Sequence, residues 1–279
     1  MTQNNDCATS GVQPVDERVA RALADIRFKV VVMSGKGGVG KSTVAAYLAL
    51  GLADKGYKVG LLDVDLHGPS IPRMLGLSSH AVVQEDEQRI LPVVYNSNLR
   101  VISIESLMPN RESSVIWRGP LKIGVVKQFI GDVMWDHLDF LVIDSPPGTG
   151  DVPLTVAQTV EGAYALVVTT PQEIALADVR KSLDFCRQVE LPVIGVVENM
   201  SGLVCPHCGK EVELFGQGGG EAMAKNLGLD ILARLPIDPR IIQAADQGRP
   251  LKLMLDDTGS GPAYQQMVAG VLKRTAERR

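Results

Sequence analysis

From Gly35 to Thr43 the chain reads G-K-G-G-V-G-K-S-T, residue types and a spacing suited to holding phosphate. The run fits G-x-x-x-x-G-K-[ST], with Gly35, Gly40, Lys41 and Ser42 in register. A turn through Gly35, Lys36, Gly37, Gly38, Val39 and Gly40 points successive backbone N–H groups inward. A helix starting at Ser42–Thr43 adds its partial positive end. Lys41 reaches the outer phosphates of a nucleotide such as ATP, and the Ser42 hydroxyl completes a Mg²⁺ shell. Lys36 is an extra cation, placed to point at nucleotide from outside its own pocket.

A second chemistry is carried by Cys205-Pro206-His207-Cys208-Gly209. Two thiols at C-x-x-C spacing curl round one soft metal, and thiolate-rich sites select zinc or iron–sulfur clusters. Both usually want four ligands, and no second C-x-x-C is present. Cys205 and Cys208 therefore suggest a metal or cluster shared across a two-fold axis. A structural zinc site, with His207 as a third ligand, and a redox pair are the competing readings. Cys186 reads as a core residue and Cys7 as a free thiol in a polar tail.

Carboxylates follow at strand ends. Asp63-Val64-Asp65 closes one apolar run, and Asp65, facing the phosphate loop, can orient metal-bound or attacking water. His67 reads as loop lining. Asp144 closes Phe140-Leu141-Val142-Ile143 and is expected near Mg²⁺, acting on it indirectly, ahead of Ser145-Pro146-Pro147-Gly148-Thr149-Gly150-Asp151. That stretch reads as a switch sensing the γ-phosphate, with a plain turn as the alternative. Asn199, after Val196-Val197-Glu198, can present donor and acceptor to an adenine edge or serve as a cap. Pro236, in Leu235-Pro236-Ile237-Asp238-Pro239, is placed along the base pocket.

The elements that must position these groups alternate. Strands are expected at 28–34, 58–63, 99–104, 139–144, 163–169, 192–198 and 230–235. Helices are expected at 42–55, 120–134, 175–189, 219–228 and 262–276. The strands are continuous apolar runs, as a sheet covered on both faces requires. The fold class is therefore α/β, a single doubly wound, mostly parallel sheet with helices on both faces and ligands at the carboxyl ends of the strands. Residues 1–27 read as a flexible segment, with a short charged helix from Val15, ahead of one domain over 28–279.

The 279 residues are 45% hydrophobic and 22% charged, ordinary values for a globular chain with a large core. A net charge of −4 gives no nucleic-acid footprint. No apolar run is long enough for a membrane span, no secretory signal is visible, and four cysteines are too few for a disulfide scaffold. A cytoplasmic protein is expected.

The K-G-G-x-G-K-S/T loop resembles the deviant Walker A of the MinD/ParA/nitrogenase-reductase class, in which the extra lysine, here Lys36, crosses a dimer interface to the partner's nucleotide. The motifs S-G-K-G-G-V-G-K-S-T, D-V-D-L-H-G-P-S, V-I-W-R-G-P, L-V-I-D-S-P-P-G-T-G-D, E-N-M-S-G, C-P-H-C-G and L-P-I-D-P together resemble the Mrp/ApbC-type P-loop ATPases, over Val30 to Leu272. That resemblance implies a MinD-like P-loop NTPase fold and a homodimer with a [4Fe–4S] cluster on Cys205 and Cys208 at its interface. It implies slow Mg-dependent ATP hydrolysis assisted by Asp65, with cluster transfer to apo iron–sulfur proteins. It leaves Trp117 and Arg118 without a role. The small N-terminal domain and the four-cysteine N-terminal motif of some relatives are not seen.

The alternative function is a MinD/ParA-like spatial-positioning ATPase. The stripe Tyr264, Met267, Val268, Val271 and Leu272 fits core packing better than membrane insertion, and no basic face for DNA is evident. Nitrogenase-reductase-like electron transfer would place cysteines near the switch, and residues 144–160 contain none.

Overall fold

A computed structural model describes residues 14–66, 68–77, 82–84, 89–107, 119–204, 211–215, 220, 224, 227–257 and 259–278. The elements in chain order are α1 (Val15–Ala24), β1 (Ile26–Ser34), α2 (Lys41–Asp54), β2 (Val59–Asp63), α3 (Ile71–Met74), β3 (Val82–Gln84), β4 (Arg89–Leu91), β5 (Val93–Val94) and β6 (Leu99–Ser103). There follow α4 (Gly119–Asp132), β7 (Leu138–Asp144), α5 (Asp151–Thr159), β8 (Ala163–Thr169), α6 (Glu173–Gln188), β9 (Val193–Val204), β10 (Glu211–Val212), β11 (Ile231–Ile237), α7 (Pro239–Asp246) and α8 (Gly261–Ala276).

Nine strands of the described residues form one sheet, ordered β10-β9-β8-β1-β7-β2-β6-β5, with β11 also paired to β9. All pairings from β6 to β9, and β9 to β11, are parallel. The phosphate-loop strand β1 is thus central, between β7 and β8. The seven expected strands are all present, and the doubly wound fold is as anticipated. β5 and β10 add antiparallel pairs at two residues each, and β3–β4 form a separate antiparallel pair. Such short strands leave no periodic signal.

Successive β1 side chains enter opposite cores because strand side chains alternate between faces. Val30 and Val32 pack with α2 and α8, whereas Val31 and Met33 pack with α1, α4 and α5. α2 is buried on nearly every side, its alanines lying between the sheet and α8. The apolar stripe of α8 faces this core through Tyr264, Met267, Val268 and Val271. Among the described residues, no helix is long and apolar enough to cross a membrane.

Three departures from expectation have physical causes. α1 is docked against α4 rather than loose: Val19 and Leu23 are buried, worth about 2 kcal/mol each, and Arg18 pairs with Asp132. Residues from Val15 onward are therefore part of the packed body, ahead of the expected boundary at 28. α5 lies behind the Pro/Gly segment; its Pro153 falls in the first turn, where a missing N–H costs no intrahelical bond. α7 starts at Asp238-Pro239, with the Asp238 side chain accepting the Arg240 N–H at 3.0 Å and Pro at the first helical position. The helix expected over 219–228 falls largely outside the described residues.

Candidate nucleotide site

The loop between β1 and α2 is shaped by two glycines with different reasons to be glycine. Gly40 precedes α2 with φ +81°, in the left-handed region that disfavours a side chain. Gly35 has α6 pressed against it: a Cβ there would lie 2.4 Å from the Asp178 carbonyl. The Ser34 hydroxyl donates to the Lys36 carbonyl at 3.0 Å, tying the turn's entry. Val39 and the Gly37–Gly38 pair complete the loop, and Thr43 lies in the first turn of α2.

Lys41 opens α2 and is almost fully buried, its ammonium ion-paired to the Asp144 carboxylate and 3.3 Å from the Ser42 hydroxyl. Parallel register puts Asp144 beside Asp63 at the ends of β7 and β2. Burial raises the Asp144 pKa above the usual carboxylate range, an effect that the Lys41 charge opposes. Asp63 is raised well above it, by burial first and then by Asp144. The second Asp144 oxygen is buried without a hydrogen-bond partner. This orphaned acceptor beside the Ser42 hydroxyl fits a Mg²⁺ ion, which takes few protein ligands and keeps much of its water shell. No group of three or more His, Cys, Asp or Glu suited to a metal occurs among the described residues.

Asp65 is 8% exposed, and its N–H donates to Asp63 Oδ1 at 3.1 Å. Asp63 Oδ2 accepts from the Ser103 hydroxyl at 3.1 Å. The residue that fixes the turn carrying Asp65 is therefore Asp63. On sequence alone, Asp65 is assigned to water and Asp63 is given no part in placing it.

The segment expected to act as a switch is laced to the end of β1, which leads into the phosphate loop. Ser145 N–H donates to Val32 O at 3.3 Å and Gly148 N–H to Ser34 O at 2.8 Å. Pro147 lies 3.9 Å from where a Gly37 Cβ would stand. Lys36 Nζ approaches Gln172 Oε1 at 3.5 Å, at the N-terminus of α6, a partner that the sequence did not suggest.

Asn199 donates its amide to Val39 O at 2.8 Å and is 7% exposed. The side chain thus spends this donor on the phosphate loop. Pro236 is half-buried at a register irregularity of β11, next to Leu235, which pairs with Asn199. Cys205, Cys208 and His207, with His67, Cys7, Trp117 and Arg118, lie outside the described residues. The neighbours of the cysteine motif are described: Val204 of β9 pairs antiparallel with Glu211 of β10. Cys186 is buried in the core, which pushes its thiol up to about 11.

The profile of the ParA family, described as NUBPL iron-transfer P-loop NTPase, matches residues 25–272. The iron-sulfur cluster carrier protein of Methanocaldococcus jannaschii is 43% identical over 260 residues, covering 93% of this chain and 89% of that relative. Its counterpart in Saccharolobus solfataricus is 44% identical over 263 residues, covering 94% and 88%. A nucleotide-binding protein from Archaeoglobus fulgidus, solved in complex with ADP, is similar in structure with a TM-score of 0.73 and 41% identity, covering 84% of this chain and 91% of that one. The cell division ATPase MinD of Pyrococcus furiosus has a TM-score of 0.64 at 24% identity, covering 88% and 98%, a likeness of fold alone.

Proposed function

Because the chain belongs to the ParA family of NUBPL-type iron-transfer P-loop NTPases, we propose that it is an ATP-dependent iron–sulfur cluster carrier. Two copies form a homodimer, hold a [4Fe–4S] cluster as cargo on Cys205 and Cys208 of each, and pass it to apo iron–sulfur proteins in the cytoplasm. ATP binds on Gly35–Thr43, with Lys41 at its outer phosphates.

Mg²⁺, when bound, neutralises charge on the phosphate oxygens, and Ser42 and Asp144 would hold it. Lys41 answers negative charge developing on the transferred phosphoryl group, and Asp65 orients the attacking water. Lys36 reaches the partner's nucleotide. Asn199 and Pro236 lie toward the base. Hydrolysis is slow because it times cluster delivery, and the Ser145–Asp151 segment registers loss of the γ-phosphate.

One observation carries this reading: β9 braces the phosphate loop at Asn199 and ends at Val204, immediately before the C-P-H-C-G motif. The relatives named as cluster carriers support it further. The test is anaerobic reconstitution with iron and sulfide, followed by metal analysis, light scattering and transfer to an apo-ferredoxin. Iron and sulfide near four of each per dimer (about, for one [4Fe–4S] unit) with transfer is the expected result. Stoichiometric tight zinc without an iron–sulfide spectrum would overturn the carrier assignment.

A further inference from the structure

Adjacent residues on β9 send their side chains to opposite faces of the sheet, and Glu198 and Asn199 use this alternation to grip two different parts of the molecule. Asn199 grips the phosphate loop. Besides its bond to Val39 O, its Nδ2 stands 2.2 Å from where a Gly40 Cβ would be, with Met200 Cε 3.9 Å from the same point. Asn199 is thus in direct contact with the loop, and the Met200 methyl group lies just beyond it.

Glu198 grips the stretch that carries the cysteine motif. Its fully buried carboxylate accepts the Ser201 hydroxyl on Oε1 at 2.7 Å and the Gly220 N–H on Oε2 at 2.7 Å. Arg234 Nε adds a positive charge at 4.0 Å. Ser201 and Gly220 flank the motif on its two sides, so one carboxylate ties both flanks. Between the grip and the motif, β9 is irregular. Met200 has φ +58°, a conformation that a non-glycine residue rarely takes, and Gly202 has φ +83°. The register against β11 jumps at the same place, Asn199 facing Leu235 while Leu203 faces Ile237.

A strand held at one residue by the nucleotide loop, and at the next by both flanks of the cysteine stretch, cannot shift at one hold without loading the other. We propose that Glu198–Asn199 is a positioning pair that couples nucleotide binding at Gly35–Thr43 to the β9–β10 hairpin, with the Met200–Gly202 irregularity as its joint. The proposal rests on the carrier reading only for what the hairpin holds; the coupling itself needs no cluster.

Alkylation by iodoacetamide, followed peptide by peptide on the full-length apo chain with and without MgATP, tests it. MgATP should change the rate at Cys205 and Cys208 by about fivefold or more, the lower range of ordinary coupling between sites. Ser201→Ala should bind ATP with wild-type affinity and stay folded with an unfolding midpoint lowered by the lost hydrogen bond to the buried carboxylate, yet lose most of that change. Glu198→Gln, which removes the negative charge and one of the two acceptor oxygens, should lose it as well. If Glu198→Gln fails to fold, Ser201→Ala decides alone. Wild-type rates indifferent to MgATP, or a full response in Ser201→Ala, would overturn the coupling. A chain that shows the response but takes up no iron and sulfide would instead refute the carrier reading and leave the coupling standing.

Discussion

Asp63 and Asp144 stand side by side in register at the ends of β2 and β7, both fully buried, with Lys41 paired to Asp144. Two buried carboxylates side by side cannot both ionise cheaply, and Lys41 is the cation that makes the arrangement tolerable. Lys41→Ala should therefore weaken ATP binding by about 10- to 100-fold, the range for a lost charge-assisted hydrogen bond. It should also destabilise the protein by roughly 3 kcal/mol, because a buried carboxylate is left without its partner. Adding Asp144→Asn should restore part of the stability and none of the affinity. Calorimetric titration and urea unfolding of the single and double variants measure this, and a double variant no more stable than Lys41→Ala would contradict it.

Lys36 rests near Gln172 at the start of α6, outside the buried pair. Lys36→Ala should bind ATP nearly as the wild type does but lose hydrolysis and cluster transfer, as the proposed action on the partner's nucleotide requires. Gln172→Ala should keep both activities, because it removes only the contact within the chain. Phosphate release and transfer to an apo-ferredoxin are the measurements. Wild-type turnover in Lys36→Ala would remove the trans-acting role.

Cys205→Ala or Cys208→Ala should abolish iron and sulfide uptake while ATP affinity persists. Cys186→Ala should retain the cargo. The raised thiol of Cys186, at about 11, also predicts that it resists iodoacetamide in the folded protein at pH 8, where its thiolate is scarce. Metal analysis of the anaerobically reconstituted variants and peptide mapping of the alkylated wild type provide the checks. Normal iron content in Cys205→Ala would place the ligands elsewhere.

Asp238 caps α7 and also accepts the Ser260 hydroxyl at 2.8 Å. Burial pushes its carboxyl upward, but hydrogen bonds from Arg240 and Ser260 outweigh this and hold it below the usual range. The native state thus gives up this proton more readily than the unfolded chain. Its stabilising contribution is present above the ordinary carboxylate pKa and disappears as pH falls through the lowered native value. Asp238→Ala should cost about 1 kcal/mol at neutral pH, as a lost N-cap does. The difference from wild type should shrink in acid. Urea midpoints measured across pH would show it, and a gap that widens on acidification would rule out this role.

Much of the scaffold was legible because each parallel strand is a continuous apolar run and the phosphate loop is a contiguous motif. What escaped depends on partners distant in the chain. Nothing local to Asn199 shows that its amide donor braces Val39, since the accepting carbonyl is 160 residues away. Glu198 reads as an ordinary strand residue until Gly220 is found on its carboxylate. α5 was hidden by Pro146, Pro147 and Pro153, which look like loop punctuation although the last sits where a helix accepts it. α7 could have been found, because Asp238-Pro239 is a cap followed by a first-turn proline.

The central place of β1 sets an order of events during synthesis. The phosphate loop is made early, yet Lys41 acquires its partner only 103 residues later and Val39 its brace 160 residues later. At ribosomal speeds of about 5–20 residues per second, the second interval lasts roughly ten to thirty seconds. A nascent chain stalled before Asn199 carries the whole loop motif but lacks the strand that fastens it. Tight nucleotide retention is therefore a late acquisition, attained only after the parallel sheet has gathered around its first strand.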